Sequence, residues 1–93
     1  MEQRRVWAEA RDALVSQLEQ LGFPAELGEC IARHLGSPKA IERMTTWLRY
    51  EQPHSAEHIV DEMLAIRSEI DAWREKKAAQ EANMVLNERL HRR

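Results

Sequence analysis

Glycine and proline are scarce in this chain and are confined to its middle. The sequence of 93 residues contains three glycines and three prolines, and all six lie between Gly22 and Pro53. These two residue types are the strongest local breakers of helices. The stretches without them therefore predict one leading helix and one very long closing helix, with two short helices between.

Cysteine, β-branched residues and long apolar runs are also in short supply. The single cysteine, Cys30, excludes an internal disulfide and is typical of a reducing compartment. No apolar run reaches the roughly 18 residues of a membrane span, and none of signal-peptide length follows the first residues. We therefore expect a cytoplasmic protein. No segment alternates apolar and polar residues with period two, so strands are not predicted.

Net charge is too small to select a class of partner. The chain carries −2 overall, which produces only a weak long-range field. The charge is nevertheless uneven, because residues 22–73 contain five basic and nine acidic residues whereas residues 74–93 contain six basic and three acidic residues. The tail is mildly basic but does not resemble a nucleic-acid-binding arm.

Apolar periodicity predicts an all-α fold in a single domain over residues 1–93, with four helices at about 3–21, 24–35, 38–51 and 56–90. We expect the three shorter helices to pack on the first half of the fourth. Gly22 and Gly36 are placed to end helices, and Ser37 and Ser55 to cap them. The predicted inward stripes are Trp7, Ala10, Leu14, Leu18 and Leu21, then Leu27, Ile31 and Leu35 with Cys30 beside them, then Ala40, Ile41, Met44, Trp47 and Leu48.

The closing helix changes its apolar face part of the way along. We measure the position of each residue as an angle around the helix axis, at about 100° per residue, with Ile59 at 0°. Four residues fall within about 40° of Ile59, and they are Met63, Ile66, Ile70 and Trp73. Beyond Trp73 the apolar residues fall instead between about 140° and 220°, and they are Ala79, Ala82, Leu86 and Leu90. Either the distal part (about 78–93) projects or docks on a partner, or the helix bends near 74–83. Its strong helix formers favour a straight rod.

Residues 12–50 resemble the ubiquitin-associated (UBA) domain, a compact three-helix module. The turn Leu21-Gly22-Phe23 resembles the Met-Gly-Phe loop of that family, and residues 24–35 and 38–48 look like its second and third helices. The resemblance implies that ubiquitin contacts would map to this turn and to the end of the third helix. The alternative interpretation is a helix stop followed by a core aromatic residue.

Residues 24–50 also resemble a helix-turn-helix segment. Ala32 and Gly36 are spaced like the small residue and the turn glycine of that motif. The helix after the turn would present Lys39 and Arg43 to nucleic acid, and the candidate contact residues are Arg33, Lys39, Arg43 and Arg49. The apolar Ile41 comes one position early, and Glu42 stands where an inward residue is expected. Since DNA affinity rests on neutralising phosphates, the acidic balance of this segment argues against the motif.

The stretches from Trp47 to Ile66 and from Trp73 to Lys77 are similar to a family of short bacterial proteins of unknown function. This resemblance extends over most of the chain. It implies a bacterial origin and no particular activity.

Candidate catalytic or metal-binding groups are few. His54 and His58, with acidic residues nearby, suggest a metal cluster, but His54 precedes the cap of the last helix, which leaves His58 with Asp61 or Glu62 as a half-site. Cys30 with His34 suggests a thiolate–imidazole pair. Two ligands four residues apart need a shared helix face, and nucleophilic catalysis needs further organised groups. We therefore predict no catalytic, cofactor or metal site. The tryptophans are expected to be core anchors, with Trp7 the one most exposed to a partner.

The sequence therefore predicts a non-catalytic helical protein that binds itself or another helical protein. A homodimer would form through the distal strip Ala79, Ala82, Leu86 and Leu90. The alternative is a small nucleic-acid-binding regulator that uses the basic residues named above.

Overall fold

Four helices account for nearly all of the chain. The computed structural model describes residues 2–91, and the surroundings of side chains within residues 4–84. The helices are α1 (Glu2–Gln20), α2 (Ala25–Leu35), α3 (Pro38–Glu51) and α4 (Ala56–His91). Each boundary lies within one residue of its prediction, and no strand occurs between residues 2 and 91. The all-α, four-helix prediction is confirmed.

The helix ends follow from the residues that were expected to form them. Gly22 and Gly36 both have positive φ angles, of 93° and 79°, which a residue without Cβ adopts at no steric cost. The Ser37 hydroxyl accepts a hydrogen bond of 3.2 Å from the Ala40 N–H. The Ser55 hydroxyl accepts one of 3.2 Å from the His58 N–H. These caps satisfy N–H groups that have no partner within the helix.

The core is built from the predicted stripes. Helix α1 packs on α2 and α3, and α4 packs on the same two helices without approaching α1 closely within residues 2–91. The two middle helices therefore separate the first from the last. Thirteen apolar residues are buried together, and they are Ala10, Leu14, Leu18, Ile31, Ala32, Leu35, Ala40, Ile41, Met44, Leu48, Ile59, Met63 and Ile66.

The expected place of Cys30 beside the core stripe is wrong, because its side chain is exposed. The inward arc of α2 is already occupied by Gly28, Ile31, Ala32 and Leu35. Cys30 lies about 100° from Ile31 on the side away from Ala32. Its position therefore faces solvent.

Arg67 joins α4 to the end of α2. Its Nη1 atom lies 3.5 Å from the carbonyl oxygens of both His34 and Leu35, which carry the partial negative charge of a helix C-terminus. Its Nε atom lies 3.5 Å from Asp71 Oδ1, four residues further along the same helix. The guanidinium group thus holds the two helices in register at the point where α2 stops.

Gly28 allows α1 and α2 to approach closely. A Cβ atom at this position would lie 2.7 Å from Val15 Cγ2 and 3.0 Å from Val15 Cα. The second distance involves a backbone atom, so a side-chain rotation cannot relieve it. A glycine inside a helix normally reduces stability, and here the close packing of the two helices requires it.

We predict that Gly28→Ala destabilises the protein despite the better helix propensity of alanine. Overpacking costs about 1–3 kcal/mol, and alanine recovers about 1 kcal/mol in helix propensity. We expect a net loss of about 1 kcal/mol, or about 5 °C in thermal midpoint for a domain of this size. Thermal unfolding followed by circular dichroism measures it.

The matched control is Glu29→Ala, an exposed position one residue further along α2. It should leave the midpoint unchanged or raise it slightly. A Gly28→Ala variant as stable as the native chain would show that the α1–α2 approach is not tight.

Candidate interaction surface

Helix α4 extends well beyond the other three helices. It has 36 residues, a length of about 54 Å at 1.5 Å per residue, and the longest dimension of the molecule is 64 Å. Ile70 is half-buried and packs against the core. Every residue from Asp71 to Met84 is exposed. The three-helix body therefore covers only the beginning of α4.

Trp73 is exposed, and its assignment as a core anchor is wrong. Its side chain is 62% exposed, whereas Ile59 and Ile66 on the same seam are almost completely buried. The helical position of Trp73 is the predicted one, and the part of the body that lines the same groove is the start of α3, from Ser37 to Arg43. The seam therefore continues past the point where another helix can cover it.

Trp7 is half-buried and packs against the core rather than being the most exposed tryptophan. The Arg11 guanidinium lies 5.5 Å from the centre of its ring. Trp47 is also half-buried, and its ring stacks on His58 with the two centroids 5.2 Å apart. Two of the three tryptophans are therefore anchored to the body, and Trp73 is the one that projects.

A second apolar strip faces away from the body along α4. Ala79 and Ala82, the predicted partner-binding residues within the described side chains, are both exposed. The side chains of Leu86 and Leu90, the other two predicted members, lie outside the described residues. The strip also reaches back over the body through exposed residues on the same helical face, which are Leu64, Ser68 and Ala72. We call this set, with the four predicted residues, the outer strip.

Leu64, Ser68 and Ala72 were absent from the predicted strip, and Leu64 is the one large apolar residue among them. It is 49% exposed although it lies in the segment of α4 that packs on α2 and α3. Its helical angle, about 140° from Ile59, already placed it on the face of Ala82. This angle could have identified Leu64 from the sequence. It shows that the outer strip begins before the helix leaves the body.

Charge changes sign along α4. Residues 56–73 contain five acidic residues and one basic residue, whereas residues 74–91 contain four basic and three acidic residues. The acidic first half lies beside the body, and residues 74–84 lie beyond it.

A groove lies where α4 leaves the body. It has a volume of about 450 Å³ and lies between the first turns of α3 and the middle of α4. Ile66, Ile70 and Trp73 line it, together with the charged side chains of Lys39, Arg43, Glu69 and Arg74. The Lys77 ammonium lies 5.2 Å from the centre of the Trp73 ring, a cation–π contact. We call this the Trp73 groove.

The four basic residues of the nucleic-acid alternative are interrupted by acidic side chains. Arg33, Lys39, Arg43 and Arg49 are all exposed. Arg43 forms an ion pair with Glu69. On α3, Arg49 lies about 80° from Lys39, and Glu42 lies between them at about 60°.

The groups considered for catalysis or metal binding are solvated. Cys30, His34, His54 and His58 are all exposed, and His58 is stacked on Trp47. Among the described residues, no three histidine, cysteine, aspartate or glutamate side chains are grouped so as to hold a metal ion. The same residues include no buried side-chain polar atom without a hydrogen-bond partner.

The turn that resembles the UBA loop is part of the body. Leu21 and Phe23 are half-buried and pack against the core, and the Phe23 N–H donates a hydrogen bond of 2.9 Å to the Leu18 carbonyl oxygen. Gly22 is exposed. Ubiquitin binding at this turn stays a prediction.

Comparison with protein-family models, with curated proteins and with solved structures finds no match for this chain. None of the helices described is both long and apolar enough to span a bilayer.

We predict that the tryptophans differ sharply in their contribution to stability. Trp73→Ala should change the free energy of unfolding by less than about 0.5 kcal/mol, as for other exposed sites. Trp47→Ala should lower the free energy of unfolding by about 2 kcal/mol. Truncating a fully buried aromatic side chain costs about 3–5 kcal/mol, and a half-buried one loses only part of that packing. Chemical denaturation of the two variants measures both values. Equal losses would mean that Trp73 is covered in the folded chain.

Proposed function

We propose that this protein is a non-catalytic self-association module whose α4 helix pairs with α4 of a second copy. The supporting observation is the exposure of every residue from Asp71 to Met84. An isolated helical segment of this length is only marginally stable in water. Apolar residues on such a segment gain stability when a second helix covers them.

The outer strip is the proposed contact face. Its members within the described side chains are small or apolar and span both halves of α4, so two strips can pack along most of the helix. Small side chains let two helix backbones approach closely. The strip lies on the opposite side of α4 from the buried seam, and pairing therefore leaves the fold of each chain intact.

The charge distribution favours an antiparallel pair. A two-fold axis near Glu75 places position 68 opposite position 82 and position 64 opposite position 86. Residues 56–73 of one chain, with five acidic residues and one basic residue, then lie beside residues 74–91 of the other, with four basic and three acidic residues. The two Glu75 side chains, at about 160° on α4, meet at the axis, and their repulsion opposes part of this gain. A parallel pair would bring like charges together, which is unfavourable at close range. The contact is isologous, as in most homodimers.

The non-catalytic part of the proposal rests on the solvated state of the candidate groups. A nucleophile is activated by an adjacent base or by burial beside charge, and Cys30 and His34 are both exposed. We also propose a cytoplasmic location, since the sole thiol is exposed and a reducing compartment keeps such a thiol free.

A nucleic-acid-binding regulator remains the second candidate. It is supported by the exposure of Arg33, Lys39, Arg43 and Arg49, and weakened by the Arg43–Glu69 ion pair. Binding of a random-sequence duplex at low salt, with affinity falling steeply as salt rises, would favour it over self-association.

Sedimentation of the intact chain and of a chain ended after Lys77 tests self-association. We expect a concentration-dependent dimer for the intact chain and a monomer for the shortened one, because the shortened chain lacks the distal half of the outer strip. A monomer in both cases contradicts self-association. A dimer in both cases places the interface elsewhere.

Two substitutions that add the same charge on opposite sides of α4 locate the interface. Ala82→Glu puts a carboxylate on the outer strip, and we expect at least a tenfold weaker dimer. Met84→Glu puts the same group about 200° away on an exposed position, and the dimer constant should change by less than threefold. Equal effects of the two variants would contradict the outer strip as the contact face.

A further inference from the structure

The Trp73 groove combines an apolar floor with an exposed aromatic side wall. Ile66 forms the floor, and Ile70 and Trp73 continue it towards solvent along α4. An exposed tryptophan beside half-buried aliphatic residues is a typical anchor of a protein–protein interface. The α3 side of the groove and its floor at Ile66 and Ile70 are held by the core, whereas Trp73 stands on the exposed turn of α4 that follows.

The rim of the groove is basic although the whole protein is acidic. Lys39 and Arg74 line it, and Lys76 and Lys77 lie one turn further along α4 beside Trp73. Glu69 is the one acidic residue lining the groove within the described part of the chain, and it is paired with Arg43. The positive charge of Lys39, Arg74 and Lys77 is therefore available to an incoming anionic group.

The Trp73 groove faces away from the outer strip. Trp73 lies at about 320° on α4, whereas the outer strip lies between about 140° and 220°. The antiparallel pair proposed above therefore leaves the groove open, and binding there does not depend on dimer formation.

We propose that the Trp73 groove binds an acidic peptide segment of a partner protein. A large apolar side chain of that peptide packs on Trp73 and Ile70, and its carboxylates lie beside Lys39, Arg74 and Lys77. Apolar packing supplies most of the affinity, and the charges supply orientation and rate of encounter.

The features of the groove favour a peptide over a nucleic acid. Single-stranded nucleic acids bind along a continuous basic track with several aromatic stacking platforms. The described side chains of this groove offer one aromatic residue, and the acidic first half of α4 adjoins it. A long polyanion would be repelled there, whereas a short acidic peptide interacts only with the local basic rim.

Selection from a displayed library of random peptides tests the proposal. The intact chain and its Trp73→Ala variant are each used as the immobilised target. On the intact chain we expect enrichment of peptides that carry net negative charge and a large apolar residue. On Trp73→Ala this enrichment should be lost. Absence of enrichment on the intact chain, enrichment without acidic bias, or equal enrichment on both targets would overturn the proposal.

Titration of an enriched peptide then locates the site. Trp73→Ala and Lys77→Glu should each weaken binding at least tenfold, and added salt should weaken it further. The matched control is Tyr50→Ala, which removes an aromatic side chain that is 89% exposed and does not line the groove. It should leave the affinity unchanged. An equal effect of Tyr50→Ala, or tighter binding of oligothymidine than of the peptide, would overturn the assignment.

One variant separates this proposal from self-association. Ala82→Glu, designed to break the dimer, should bind the enriched peptide with unchanged affinity. Loss of peptide binding in that variant, with its thermal midpoint preserved, would show that the two surfaces are not independent and would overturn the groove as a separate site.

Discussion

The structure depends on a mismatch of length between α4 and the body that covers it. Helices α2 and α3 bury one face of α4 only from its start to about Ile70. The remaining helix carries exposed residues on all sides as far as Met84. The packed part of α4 supplies the nucleus from which the next turns propagate, but it buries none of their side chains. The distal half must therefore be stabilised by its own helix propensity or by a partner.

The covered part of α4 is held by both packing and polar contacts. Ile59 and Ile66 fill the space left by α2 and α3, and Arg67 reaches the carbonyl oxygens at the end of α2. The close approach of α1 and α2 at Gly28 completes the body on its other side. Together these contacts fix the direction in which α4 leaves the body, and hence the positions of both the outer strip and the Trp73 groove.

The helices were predictable because their ends are set by local chemistry. Gly22, Gly36, Ser37 and Ser55 act on their immediate neighbours, and each boundary lies within one residue of its prediction.

Burial was less predictable because it depends on distant parts of the chain. Trp73 occupies the seam that periodicity assigned to it, but its exposure depends on where α3 begins. The groove beside it, which joins residues more than thirty positions apart, could not be read from local sequence.

Hydrogen–deuterium exchange at several protein concentrations tests the central claim that a second copy covers the exposed part of α4. In the monomer, the amides of residues 72–84 are protected from exchange only by the backbone hydrogen bonds of a helical segment that frays. We expect their protection to rise with protein concentration, while that of residues 59–66 stays constant because the body supplies it. Protection of residues 72–84 that is the same at every concentration would contradict the account.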